Sequence, residues 1–432
     1  MRPVFRITEF QLLLTSWLFF GVGIVQIALT KGLELTTAGL APAIVFVALT
    51  FGVHAALAIF RCRGDQLLLP IVSTLTAIGL VVMYRLPQAD LVSRQTIWAV
   101  ISYGAMLATL ALVKDPPRLR HYRYISAIAG LLLVAVTFVI GSAPPGSDER
   151  LWIVLGPFQF QPSEILKILL VIFFAAYLDE YRELISRGRY RLGPFTLPPL
   201  PYLLPLLGMW GISLLLLLIQ KDLGGALLFF GIFLTMLYVG SSRASWVYIA
   251  LVAFGIAATA AHRVVPVVQR RVEGWVDPWT HASTSAYQVV QGLIALAAGG
   301  IFGSGLGHGR PTSVPAVHTD LIIAAIGEEL GLLGSFAVLI LYMLLIYRGF
   351  RIAVAAANSF NQLLATGLTS VLALQTLVIL GGSVRLLPLT GITLPLVSYG
   401  GSSLLANFVI VGLLLRISHD NAREAARAQG GS

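Results

Sequence analysis

The sequence predicts an all-α, polytopic integral membrane protein of about twelve transmembrane helices. Of its 432 residues, 57% are hydrophobic and only 11% charged. A water-facing surface takes roughly 25–35% charged residues, so most of this chain's surface must face lipid or other helices. Apolar runs of about 17–25 residues, the length that crosses a hydrocarbon core as a helix, recur along the chain. The formal charge of +10 therefore points to topology, and the composition argues against a nucleic-acid binder despite it. Cys62 is the single cysteine and lies in an "RCRGD" loop. Without a second cysteine, the chain can form neither an internal disulfide framework nor a cysteine-ligated metal site.

The first run, residues 8–29, follows Arg2 and Arg6. It is long for a signal-peptide core and no A-x-A-like site precedes Lys31, so it is expected to be an uncleaved helix. Residues 37–60, 67–84, 95–113 and 124–140 supply the next four. The stretch "GSAPPGSDERLWIVLGPFQFQ", residues 141–161, has an apolar middle too short to span, and a re-entrant or interfacial piece is expected there. The sixth run, 164–181, opens with "FQPSEILKILL", where Pro162 suits the first turn and Ser163 the helix start. Runs at 202–220, 223–240 and 245–261 follow. Residues 262–319, rich in Gly, Pro, Trp and polar groups, then break the pattern. Loops of that length are usually functional, which makes this one the candidate cover of an active site. Residues 320–347, 361–381 and 394–416 complete the set. Ahead of the last run, "GSVRLLPLTGITLPLVSYGGSS" carries Pro388, Pro395 and the Gly400-Gly401 pair. Irregular backbone at membrane depth is tolerated only where it lines a cavity or is buried in protein.

Lys and Arg counts orient the chain. Alternate loops hold 18 on the side of Arg2 and Arg6 and 10 on the other, four of the ten in the long loop, to which the rule gives little weight. Both termini are therefore expected in the cytoplasm and the long loop outside.

Charged residues inside such helices need a reason, since a charge at the bilayer centre costs roughly 2.5–3.5 kcal/mol on insertion scales. Glu164 and Lys167 stand at i, i+3 on one helical face, where they can pair. The plainer alternative is a helix-start Glu with an outward-reaching lysine. Glu328 and Glu329, adjacent in "AAIGEELGLL", require cationic or hydrogen-bonding partners, in a structural or a catalytic role. Asp320, in "VPAVHTD", stands at a helix start directly after the long loop. It reads either as a cap favoured by the helix dipole or as a functional carboxylate. Asp222, in "QKDLGGALL", has the same double reading. His318 suits an acid/base role, a phosphate contact or an interfacial position. No spacing of acids and histidines makes a metal motif.

Five stretches in order, "LWIVLGPFQFQPSEILK", "QKDLGGALLFF", "AYQVVQGLIALAAGGIFGSGLGHG", "VPAVHTDLIIAAIGEELGLLGS" and "LPLTGITLPLVSYGGSSLLANF", resemble the SEDS family of cell-wall polymerases, the RodA and FtsW proteins. The resemblance covers about residues 65–418, and "DQLLLPIVSTLTAIGLVVMYRL" looks like the family's first helix. It implies a core of ten helices, two further helices over residues 1–64 and a cytoplasmic tail over 419–432. The two extra helices, with "GGSVRLLPLTG" and "LLANF", look more like RodA-type proteins than division-specific FtsW. The sequence departs from the family at Leu151, which separates Arg150 from Trp152. It departs again at Ile379 and Arg385, where many members have Asn and Gly.

The resemblance implies a peptidoglycan glycosyltransferase that polymerises lipid II on the outer face of the bacterial cytoplasmic membrane during elongation or division. Asp320 aligns with the family's essential aspartate and becomes the expected general base. Arg94, Lys167 and Lys221 are candidate cations for the departing pyrophosphate, and Gln161, Ser163, His318 and Ser398 are candidate substrate contacts. Glu164, Asp222, Glu328 and Glu329 are expected to shape the cavity. No cofactor is certain, with Mg or Mn at the pyrophosphate left open. Expected partners are lipid II, a class B penicillin-binding protein and membrane lipids. The competing readings are a lipid II flippase and a non-catalytic scaffold, and the gathering of acidic and irregular features on the outer side favours the enzyme.

Overall fold

The computed structural model describes residues 6–32, 37–142, 150–156, 158–186, 190–192, 195–197 and 200–430. Arg2, Arg187 and Arg189, used in the charge count, and residues 143–149 of the expected re-entrant piece lie outside them.

All twelve expected helices form. They are α1 (Ile7–Lys31), α2 (Thr37–Ile59), α3 (Leu68–Arg85), α4 (Ala89–Leu112), α5 (Arg123–Ile140), α6 (Ser163–Ser186), α7 (Leu200–Ile219), α8 (Leu223–Ser241), α9 (Ala244–Val264), α12 (Ile322–Val354), α13 (Ser359–Ser383) and α14 (Gly401–Gly430). Among the described residues, 11 helices are long and apolar enough to cross a membrane. The twelfth, α6, is long enough but carries Glu164 and Lys167 near one end and Asp179 and Glu180 near the other. α9 buries no residue at all; its apolar Tyr248, Leu251 and Ile256 are exposed, which is stable only against lipid.

Several boundaries differ from expectation. α4 begins at Ala89, so Arg94 stands in its second turn rather than in a loop. α14 begins at Gly401 rather than near 394, because the stretch before it holds Pro395 and Leu396, the latter at φ 69°; the helix then continues to Gly430. The long loop is not structureless. It contains α10 (Pro266–Val276) and the apolar α11 (Tyr287–Gly299), too short to span. The described end of the expected re-entrant piece is a β-hairpin, β1 (Ile153–Leu155) against β2 (Phe158–Phe160), with Ile153 opposite Phe160. A second small hairpin joins β3 (Tyr190–Leu192) to β4 (Phe195–Leu197).

The chain divides into two compact units. The first comprises residues 1–113, 271–348 and 375–432, the second 114–270 and 349–374. In the first, α14 packs on α4, α1 on α3 and α2 on α4. Val72, Leu75 and Leu80 of α3 and Phe408, Ile410 and Leu414 of α14 are buried there. The first helix is fastened by Arg6, itself buried. Its guanidinium donates to Glu9 and to the carbonyls of Cys62 at 2.7 Å, Gly64 at 3.1 Å and Asp65 at 3.0 Å. His54 of α2 meets the other oxygen of Glu9 at 2.7 Å. In the second unit, α5 lies on α6, and α8 packs against α6, α7 and α9. Phe173 and Phe174 of α6 are buried, and Trp210 stacks on Phe233 at 4.5 Å.

Candidate active site

Asp320 stands in a tight turn two residues before α12. The turn is closed by the Thr319 amide donating to the Ala316 carbonyl at 3.0 Å, with Ala316 at φ 51°. From the other side, the irregular segment ahead of α14 clips it. The Tyr399 amide donates to the His318 carbonyl at 2.8 Å, and the Ser398 hydroxyl donates to the Thr319 carbonyl. Both neighbours of Asp320 on one flank are thereby fixed. Ser398 is buried and also accepts the Leu394 amide at 3.0 Å, which makes its hydroxyl part of the scaffold.

Irregular backbone in this position must have its polar groups met by side chains. Gln95 of α4 donates to the Ser398 carbonyl at 3.3 Å and accepts the Gly400 amide at 3.4 Å. Gln375 of α13 donates to the Thr393 carbonyl at 2.9 Å, and the Tyr342 hydroxyl of α12 donates to the Pro395 carbonyl. The segment is thus a held loop rather than a loose connection.

At its bend lies Gly391, at φ 76°. A Cβ built there would sit 3.8 Å from Oδ2 of Asp320 and 3.9 Å from Nη2 of Arg271, so a carboxylate and a guanidinium face one small space. Arg271 comes from α10 and is aimed by its bond to the Thr390 carbonyl at 2.9 Å. In the sequence, Arg271 is one of the four cations of the long loop and carries no motif of its own. The usable signal was its i, i+4 spacing from Trp275, because both reach the same segment: the Trp275 indole donates to the Arg385 carbonyl at 3.1 Å. Arg385 in return donates to the carbonyls of Trp275 at 2.9 Å and Val276 at 3.0 Å, holding the C-terminal end of α10, where cations are favoured. His318, half-buried, stacks edge-on to Tyr399 at 5.8 Å. Burial lowers its pKa below the ordinary 6.5.

Arg94 is half exposed, its nearest ion-pair partner Asp90 at 3.8 Å. Glu328 and Glu329 serve the loop that precedes the turn. Glu329 pairs with Arg85 of α3 at 2.8 Å and accepts the Gly307 amide at 3.1 Å; Glu328 accepts the Arg310 amide at 2.7 Å. In the second unit, Lys167 is buried and paired with Glu164 at 2.5 Å. There Asp222 caps α8 by accepting the Gly225 amide at 2.7 Å. Lys221 is exposed; Ser163 is buried and Gln161 half-buried at the start of α6. Among the described residues, no three His, Cys, Asp or Glu side chains gather to hold a metal.

The family model of the FtsW, RodA and SpoVE cell cycle proteins matches residues 65–423. The chain belongs to this family. A peptidoglycan glycosyltransferase RodA of Mycobacterium tuberculosis (strain H37Rv) is 43% identical over 401 residues, 90% of this chain and 84% of its own. A probable peptidoglycan glycosyltransferase FtsW of Geobacter metallireducens is 32% identical over 375 residues, 82% of this chain and 95% of its own. Among solved structures, the chain is similar to the rod shape determining protein RodA of Thermus thermophilus, with TM-score 0.61 and 29% identity. It is also similar to a chain in the structure reporting structural coordination of polymerization and crosslinking by a peptidoglycan synthase complex, with TM-score 0.68 and 30% identity. Each structural match covers 83% of this chain and 98% of the other. The turn bearing Asp320, the glycine-rich loop and the segment ahead of α14 all fall inside the part the FtsW/RodA/SpoVE model matches.

Proposed function

We propose that this multi-pass membrane protein polymerises lipid II as a RodA-like peptidoglycan glycosyltransferase, with Asp320 as general base at the outer face of the cytoplasmic membrane and both termini inside. The observation that carries the assignment is the carboxylate of Asp320 facing Arg271 across Gly391, on backbone clipped at residues 318 and 319. Glycosyl transfer needs these two charges. The carboxylate takes the proton of the acceptor 4-hydroxyl as its oxygen bonds to the anomeric carbon. As that bond forms, the bond from the anomeric carbon to the pyrophosphate breaks, and undecaprenyl pyrophosphate leaves with the electron pair. A guanidinium held in place meets developing phosphate charge without having to reorganise. Arg271 is the guanidinium assigned to that task, with Arg94 on the same unit as a further cation. Ser398 and Gln95 act through the backbone they hold.

Support for the substrate comes from relatives named peptidoglycan glycosyltransferases. Support for a crosslinking partner, here a class B penicillin-binding protein, comes from the similar chain in a peptidoglycan synthase complex. The test is Asp320→Asn, assayed with labelled lipid II on a gel. The swap keeps size and removes only proton acceptance, so membrane insertion and unfolding temperature stay unchanged while glycan polymer disappears. Near-normal polymer from the variant would sink the assignment. A transporter, by contrast, would leave lipid II unpolymerised in the wild type as well.

A further inference from the structure

A cleft of about 480 Å³ in the first unit lies where α2 ends and α14 runs out, lined by Phe60, Arg61, Arg63, His419, Arg423 and Arg427. It belongs to none of the reaction machinery, and Arg61, Arg63 and Arg427 fall outside the residues that the family model matches. No acidic side chain lines it, and none of its four arginines is ion-paired among the described residues. His419 does not add an anion: its Nδ1 accepts the Arg63 amide at 2.9 Å. Asp420, paired with Arg416, is an acidic group near Arg423 and does not line the cleft, so the four guanidiniums that do line it suit an anion from outside.

The turn itself carries a second sign. Arg61 has φ 53°, at a helix end where its amide donates to Ala58 and that of Cys62 donates to Leu57 at 2.9 Å. Glycine is the residue that takes this left-handed position without strain. An arginine there carries backbone strain that a glycine would not. The geometry is also rigid, since Arg6 grips the carbonyls of Cys62 and Gly64. Ile59 and Phe60, 70% and 75% exposed, stand beside the arginines, so the cationic cleft opens next to bare apolar surface at the end of a membrane helix.

We propose that this cleft binds the phosphate headgroup of an anionic phospholipid, the guanidiniums taking the phosphate oxygens and Ile59 and Phe60 meeting the first carbons of the acyl chains. Arginine forks match phosphate geometry, and basic clusters at the end of a membrane helix select anionic lipids. The adjoining apolar pair favours a lipid over free phosphate. In the topology proposed above the lipid belongs to the cytoplasmic leaflet.

The test uses the full chain, purified in detergent and stripped of lipid, with phosphatidylglycerol, phosphatidylcholine and inorganic phosphate added separately. Bound lipid is read by native mass spectrometry and stability by thermal unfolding. Phosphatidylglycerol should bind and raise Tm while phosphatidylcholine does not. Each Arg→Gln change should weaken binding about fivefold, and R61Q/R63Q/R423Q/R427Q should abolish it. Arg61→Gly separates binding from folding: it relieves the strained backbone, so Tm without lipid holds or rises while affinity for phosphatidylglycerol falls. Equal binding by the wild type and the quadruple variant, or undiminished affinity in Arg61→Gly, would overturn the proposal. So would a full effect from inorganic phosphate alone.

Discussion

At Gly391, backbone conformation and charge placement become one constraint, since the positive φ that turns the chain also leaves the space into which Asp320 and Arg271 look. Arg271 makes the first prediction. Arg271→Gln should lower polymerisation by tenfold or more with little change in Tm, and Arg271→Lys should restore only part, since an ammonium cannot both bond the Thr390 carbonyl and present a second nitrogen. Lipid II polymerisation at saturating substrate measures it, and full activity in the Gln variant would remove Arg271 from the reaction. His318 carries a pH dependence. Its folded pKa is lowered from 6.5 by burial, so the unfolded chain binds more protons between the two values. Stability is therefore fully present above 6.5 and is lost as pH falls through that window. His318→Gln should flatten this part of the Tm-against-pH curve. Asp320, His318 and Ser398 were legible because they stand in short polar islands bordering apolar runs. Arg271 was not, because only the fold brings residue 271 to residues 390 and 391.

At the scale of elements, α12 is the one whose sequence conceals its shape. A run apolar but for Glu328 and Glu329 predicts an unbroken helix, yet Gly331 sits inside it at φ 68° and ψ −167°. The break is enforced from outside. A Cβ on Gly331 would come 2.3 Å from the Gly303 nitrogen and 2.4 Å from the Ile301 carbonyl oxygen, and a Cβ on Gly303 would come 2.2 Å from the Glu329 oxygen. Gly331→Ala should therefore destabilise severely, by about 3 kcal/mol or more from combined overpacking and left-handed strain. A Tm within a degree or two of wild type would show that the kink tolerates a side chain. On α6, the expected pairing of Glu164 and Lys167 is present, with Lys167 buried. Reversing either charge alone should cost about 3–5 kcal/mol. Reversing both should recover more than half of that in a double-mutant cycle, and strictly additive losses would argue against direct coupling. Helix number was readable because each span must be apolar over a bilayer's thickness. α10, α11 and the hairpin at 153–160 were not, since elements of 11, 13 and 3 residues leave too few periods to tell from loop.

For the molecule as a whole, the partner proposed above is expected to set the rate. Trp279 and Tyr287 stand exposed around the turn between α10 and α11, directly after the helix that carries Arg271. A transpeptidase that docks on these rings would bias α10 toward the arrangement in which Arg271 meets Asp320. Polymerisation by the isolated protein should therefore be slow and rise several-fold on reconstitution with its class B partner, and Trp279→Ala should blunt the rise while leaving the basal rate intact. An isolated protein as fast as the pair would defeat the activation claim. The strut at Arg6 has a consequence of another kind, in the history of each molecule rather than in its final state. While the chain is being inserted, Arg6 is one of the positive charges that hold the first helix's start in the cytoplasm under the proposed topology. In the finished protein the same guanidinium is buried among Glu9 and three carbonyls from residues 62, 64 and 65. Those carbonyls leave the ribosome more than fifty residues later, so one side chain first serves as an address for the helix and afterwards becomes the latch that closes on the turn it had to wait for.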